Sequence, residues 1–85
     1  TSMKQLLYFS AEWCQPCKQL SPIMEELQSE GLSVQKIDVD TNPEAVKSFG
    51  VKNIPTVILT LDGIDSGRKL GLNPKSMYIE LYNKN

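Results

Sequence analysis

Trp13-Cys14-Gln15-Pro16-Cys17-Lys18 contains the only two cysteines of the 85-residue chain, separated by two residues. A dithiol at this spacing can close into a small disulfide and reopen without rearranging the fold. So small a ring removes little entropy from the unfolded chain, which makes the bond a weak staple. Phe9-Ser10-Ala11-Glu12, just before it, reads as the end of a strand turning into a helix. This places Cys14 at a helix N-terminus, where unpaired N–H groups and the macrodipole stabilise a thiolate. Zinc is the rival chemistry for a C-x-x-C pair, but a structural site takes four ligands. With no histidine and no second cysteine pair, one chain supplies too few, and only sharing across a dimer would complete a site.

Outward from this motif the chain alternates strands and helices. From Cys14 to about Glu30 the spacing is helical, with Cys17, Leu20, Met24 and Leu27 on one face and Gly31 as a stop. Pro22 falls inside that helix and predicts a kink. Upstream, Leu6-Leu7-Tyr8-Phe9 has the length and residue types of a buried central strand. Downstream, Ser33 to Val39 places Val34, Ile37 and Val39 among polar residues, a mixed pattern that suits a sheet edge.

Asn42-Pro43 then opens a short helix, asparagine as cap and proline in the first turn, running to Phe49-Gly50. Thr56-Val57-Ile58-Leu59-Thr60-Leu61 is a second buried strand. Asp62-Gly63 is a hairpin turn signal leading to a strand around Asp65 to Leu70. Asn73-Pro74 repeats the cap-and-proline start for a last helix, with Met77, Tyr78 or Ile79, Leu81 and Tyr82 available for packing. The order predicts an α/β fold, a βαβ unit followed by a ββα unit, forming a four-stranded mixed sheet with helices on both faces.

Hydrophobic and charged fractions of 40% and 22% are ordinary for a globular protein, and the length suits one small domain. That domain is read as residues 3–85, with Thr1-Ser2 ahead of Met3 as an expression scar. A net charge of -1 provides no basic surplus, which argues against nucleic acid or an anionic membrane as the main ligand. No run has the length and apolarity of a membrane span, and no secretory segment is visible. A single C-x-x-C pair in that setting points to a cytoplasmic redox role.

At this level the chain resembles the thioredoxin family. Ala11 to Lys18 is similar to the family's W-C-G-P-C-K site, with Pro22 where the family kinks its first long helix. Asp38-Val39-Asp40-Thr41-Asn42-Pro43 is similar to the family's strand end and helix start. Gly50-Val51-Lys52-Asn53-Ile54-Pro55-Thr56 resembles the segment that carries the family's cis-proline, and Gly63 and Gly71 fall at family glycines. The family's usual N-terminal strand and helix are missing, so this looks like the short form of phage and archaeal members. Without that strand, the strand from Ser33 to Val39 would lie at the sheet edge.

The resemblance implies a thiol–disulfide oxidoreductase that reduces protein disulfides. Cys14 is the nucleophile and Cys17 resolves the mixed disulfide. A cis Ile54–Pro55 bond is implied by the resemblance alone, since cis forms only about 5% of X–Pro bonds. Trp13, Gln15, Pro16, Ile54, Pro55, Leu70 and Gly71 would bind substrate; core packing is the plain alternative for Trp13, and hairpin-end packing for Leu70-Gly71-Leu72. Two departures stand out. Gln15 replaces the glycine between the cysteines, and Tyr8 takes the place of a buried aspartate that assists the second cysteine. A tyrosine is a poor base at neutral pH, so Tyr8 and Lys36 (aligned with that aspartate's lysine partner) are read as modulating residues. Lys36 on an edge strand and Lys18 on a helix also have plain readings as solvated charges.

No bound cofactor is expected. Electrons would come from NADPH through thioredoxin reductase, and the partners would be disulfide-containing proteins acting on a monomer. Two alternatives remain: a glutathione-linked, glutaredoxin-like oxidoreductase, and a non-catalytic thioredoxin-fold subunit of a larger assembly.

Overall fold

The computed structural model describes residues 3–84, so the reading of Thr1-Ser2 and the last residue of the domain lie outside the described residues. The elements are β1 Lys4–Ser10, α1 Gln15–Ser29, β2 Val34–Asp38, α2 Pro43–Phe49, β3 Thr56–Leu61, β4 Ile64–Leu70 and α3 Lys75–Lys84. They form one four-stranded sheet in the order β2-β1-β3-β4. β1 runs parallel to β2 and antiparallel to β3, and β4 closes the sheet antiparallel to β3. The expected mixed sheet is present, with β2 at an edge.

The central strands are nearly continuous apolar runs because each of their faces meets a helix layer. Side chains alternate along a strand, so Leu6 and Tyr8 of β1 share one face with Val57 and Leu59 of β3. That face packs against Leu20, Met24 and Leu27 of α1 and Tyr78 and Leu81 of α3. Leu7, Phe9 and Ile58 face the other way, with Ile37, onto Ala45, Val46 and Phe49 of α2. There Phe9 and Phe49 meet edge to face with ring centroids 5.9 Å apart. β2 keeps the mixed character of an edge: Gln35 and Lys36 are exposed, while Ile37 is buried. Lys75 of α3 reaches back to Glu26 of α1 and to Glu30, the C-cap of that helix, and these hydrogen bonds raise the Lys75 pKa.

Two local expectations need correcting. Asn42 makes no side-chain cap on α2. Its amide instead donates to the Asp38 carbonyl at 3.0 Å and to Thr41 Oγ1 at 3.0 Å, so it shapes the turn after β2. Asn73 likewise turns its amide back onto the Leu70 and Gly71 carbonyls at the end of β4. In both cases a short amide side chain satisfies nearby backbone groups in place of a helix N-terminus.

The β3–β4 ladder carries one irregularity: Leu59 pairs with Gly67, but Thr60 pairs with Asp65, leaving Ser66 as the extra residue. Gly67 sits there at φ +146°, and a Cβ on it would lie 2.9 Å from Leu81 Cδ1 of α3. The positive φ is what calls for glycine here, while the Leu81 methyl is the tip of a flexible side chain that can turn aside. Gly67→Ala is expected to destabilise the protein by about 1–3 kcal/mol, read as a lowered urea midpoint with an unchanged slope. A midpoint equal to wild type would show that the positive φ at the bulge costs a side chain nothing.

Candidate active site

Cys14 occupies the N-cap of α1 in an extended conformation (φ -89°, ψ 111°), and Pro16 lies in the first turn. Its Sγ accepts the backbone N–H of Cys17 at 3.3 Å, the capping geometry usually filled by a serine or aspartate oxygen. Cys14 and Cys17 are joined as a disulfide, with their Cα atoms 5.3 Å apart. Both are buried, Cys17 more deeply.

Around the disulfide the expected site residues fall into two groups. Trp13 is 66% exposed and so is not a core residue. Its indole Nε1 donates to Asp40 Oδ2 at 2.9 Å, which fixes the ring against the loop after β2. Trp13 and Ile54 line one shallow cavity of about 130 Å³ together with Val39 and Val51. The Ile54–Pro55 bond is cis, and the Pro55 carbonyl accepts the Gly71 N–H at 2.9 Å, linking the end of β4 to the start of β3. Gln15, Pro16 and Leu70 are exposed. Lys36 lies apart from this group, in a cavity on the β2 side of α1 that Cys17 also lines.

Tyr8 is buried beneath α1, but its hydroxyl does not point at a sulfur. It donates to the Cys17 carbonyl at 2.6 Å and lies 3.3 Å from Ser21 Oγ. Ser21 donates to the same carbonyl at 3.1 Å. Burial pushes the Tyr8 pKa up from its usual value, partly offset by the Ser21 and Ser10 hydroxyls. Tyr8 is thus even less available as a phenolate base at neutral pH than its residue type suggests, and its position makes it a helix anchor. Ser21 and Asp40 were not picked out by sequence reasoning. Ser21, four residues after Cys17, carried a usable signal, because a serine at that spacing can bond back to the carbonyl. Nothing local in the sequence links Asp40 to Trp13.

Tyr8→Phe removes one hydrogen bond while Ser21 still satisfies the Cys17 carbonyl, a loss of about 1 kcal/mol at neutral pH. The folded protein holds the Tyr8 proton more tightly than the unfolded chain does. Wild-type stability from this residue is therefore constant below the unfolded tyrosine pKa of about 10 and falls as pH rises through the folded value. Urea titrations of both proteins should show the wild-type advantage shrinking above about pH 10. An advantage that stays constant or widens there would contradict the burial of this hydroxyl.

Comparison with known proteins agrees with this geometry. The family model described as Thioredoxin matches residues 1–84. The thioredoxin of Chlamydia muridarum is 42% identical over 81 residues, covering 93% of this chain and 79% of its own. That of Rickettsia bellii is 41% identical over 83 residues, covering 94% and 79%. Among solved structures, a single-site mutant of a thioredoxin from Halobacterium salinarum superposes with a TM-score of 0.89 at 34% identity, covering 95% of this chain and 73% of that one. Thioredoxin-2, described as a component of the malaria parasite protein secretion machinery, gives 0.89 at 32%, covering 100% and 85%. The chain belongs to the thioredoxin family, a thiol–disulfide oxidoreductase whose redox-active pair is Cys14 and Cys17.

Proposed function

We propose that this protein reduces disulfides in extended segments of partner proteins, working as a cytoplasmic monomer recharged by thioredoxin reductase at the expense of NADPH. The observation that carries this reading is the cap: Cys14 Sγ accepts the Cys17 N–H in the first turn of α1. The same N–H and the helix dipole would favour the Cys14 thiolate once the disulfide is open. That thiolate attacks one sulfur of the substrate disulfide, forming a Cys14–substrate bond and releasing the other sulfur as a thiolate. Cys17 then attacks Cys14 Sγ, re-forming the Cys14–Cys17 disulfide and releasing the second substrate sulfur. Two electrons pass to substrate, and two must return from the reductase.

In this reading the exposed Trp13 and Leu70 form the apolar rim that holds the substrate. Ile54 and Pro55 provide a backbone edge for strand-like pairing, and the hydrogen bond from Gly71 to Pro55 holds that edge in place. Gln15 and Pro16, exposed at the start of α1, meet the substrate beside the reacting sulfurs. Tyr8 modulates the site by fixing the backbone of Cys17.

A subunit role without electron transfer is a second reading, favoured by the similarity to thioredoxin-2, which is described as part of a secretion machinery. Insulin reduction by dithiothreitol separates the two. Cys14→Ser is expected to drop the rate to the uncatalysed level, while Cys17→Ser accumulates a covalent insulin adduct visible by mass spectrometry. Wild-type turnover by Cys14→Ser, or no adduct on Cys17→Ser, would overturn the enzymatic reading.

A further inference from the structure

The loop of residues 50–55 carries the Ile54–Pro55 edge, yet the core holds its leading end only loosely. α2, just before it, contains no fully buried residue; Ala45, Val46 and Phe49 are half-buried against the sheet. Two hydrogen bonds from the β4 side bracket this loop. At its far end the Gly71 N–H donates to the Pro55 carbonyl at 2.9 Å. At its near end Arg68 Nη2 donates at 2.7 Å to the carbonyl of Phe49, the last residue of α2. The final carbonyls of a helix have no partner within it. A guanidinium there makes a charge-assisted bond and also suits the helix dipole. The same nitrogen donates to Asp65 Oδ2. The bulge in β4 makes that second contact possible, because residues three apart on a regular strand point to opposite faces. Here Asp65 pairs with Thr60 and Arg68 with Ile58, two positions apart on β3, since Ser66 is the extra residue between them. Both side chains therefore stand with Ile58 on the α2 face of the sheet. Asp65 Oδ1 in turn accepts the Gly67 N–H at 3.0 Å, inside the bulge.

We propose that Arg68, aimed by the bulge and steadied by Asp65, is a positioning residue that holds the α2 end of the 50–55 loop so that its Ile54–Pro55 edge meets the substrate chain. Its contacts are with α2 and Asp65, and the chemistry stays with Cys14 and Cys17. Val46 of α2 and Val51 and Ile54 of the loop line the cavity beside Trp13. A shift at the end of α2 thus reaches the substrate side of the disulfide. An ion pair as exposed as Arg68 and Asp65 contributes little by itself, their side chains being 31% and 36% accessible. The bond into the Phe49 carbonyl is the part that acts, because it ties two elements whose residues lie 19 positions apart.

This inference rests on the reading that extended protein segments pair along that edge, and two substrates separate their failures. Insulin offers a polypeptide to the edge, whereas dithiobis(nitrobenzoate) has a disulfide and no peptide backbone. In single turnovers of the pre-reduced protein, followed by Trp13 fluorescence, Arg68→Met should raise the half-saturating insulin concentration roughly fivefold, the worth of one hydrogen bond. The limiting rate should stay at the wild-type value, the pattern of lost binding and not of lost chemistry. The rate with dithiobis(nitrobenzoate) should equal wild type. Asp65→Asn keeps an oxygen for the Gly67 N–H but turns an amide toward Arg68 in place of the carboxylate. It should act in the same direction by a smaller factor, and it carries the test if Arg68→Met folds poorly. Lys75→Met removes the ion pairs to Glu26 and Glu30 and controls for general destabilisation, so it should saturate with insulin as wild type does. The proposal is overturned if folded Arg68→Met or Asp65→Asn saturates at the wild-type insulin concentration, if the dithiobis(nitrobenzoate) rate falls by the same factor, or if Lys75→Met weakens insulin binding as much. A wild-type protein that reduces dithiobis(nitrobenzoate) but not insulin would instead refute the protein-substrate reading itself.

Discussion

The cap that Cys14 places on α1 is the contact on which the rest of the site depends. A sulfur atom stands where a helix normally receives a hydroxyl or carboxylate oxygen, and it accepts the Cys17 N–H. The same residue is therefore a structural cap and a reactive thiol. For this to hold, β1 must end and α1 begin within four residues, with β1 fixed in the middle of the sheet. β1 is anchored by β2 on one side and β3 on the other, and by helices on both faces. The reactive sulfur thus follows closely on a strand held between two others and under helices on both faces, which limits how far it can wander from the productive geometry.

The two sides of the disulfide have different physics. On one side lie apolar or backbone groups: the exposed indole of Trp13, the backbone around Ile54 and Pro55, and Gly71 tied to it. These suit an extended peptide, which needs backbone partners and apolar contact area. On the other side lies a cavity lined with serine, lysine and carboxylate side chains, reaching Cys17 from the β2 edge. With β2 as an outer strand, that cavity opens toward solvent.

Much of this was legible before any coordinates. The two apolar runs at Leu6-Leu7-Tyr8-Phe9 and 56–61, the helical spacing of Cys17, Leu20, Met24 and Leu27, and the proline and glycine signals specify the element order, because each element announces itself locally. The edge position of β2 was readable from its mixed polarity, and the pairing of the cysteines from their spacing. What stayed hidden is what long-range packing decides. Asn42 and Asn73 look like caps in sequence, yet the side-chain bonds they make are donated by their amide N–H groups to carbonyls of the preceding turns. The Trp13–Asp40 bond and the Ser10–Asp38 pairing join residues 27 and 28 positions apart, and only the strand register brings them together. The role of Tyr8 was only half legible: its alignment with a buried acid marked it as a modulating residue and a poor base, but not that its hydroxyl is committed to a backbone carbonyl.

The central claim is that this dithiol is a reductant, despite the glutamine between its cysteines. An equilibrium titration of Cys14–Cys17 in dithiothreitol buffers, followed by the fluorescence of the single tryptophan, Trp13, tests it most directly. A midpoint near -270 mV, about that of thioredoxin, is expected. A midpoint above about -200 mV, toward the range of disulfide isomerases and oxidants, would contradict it.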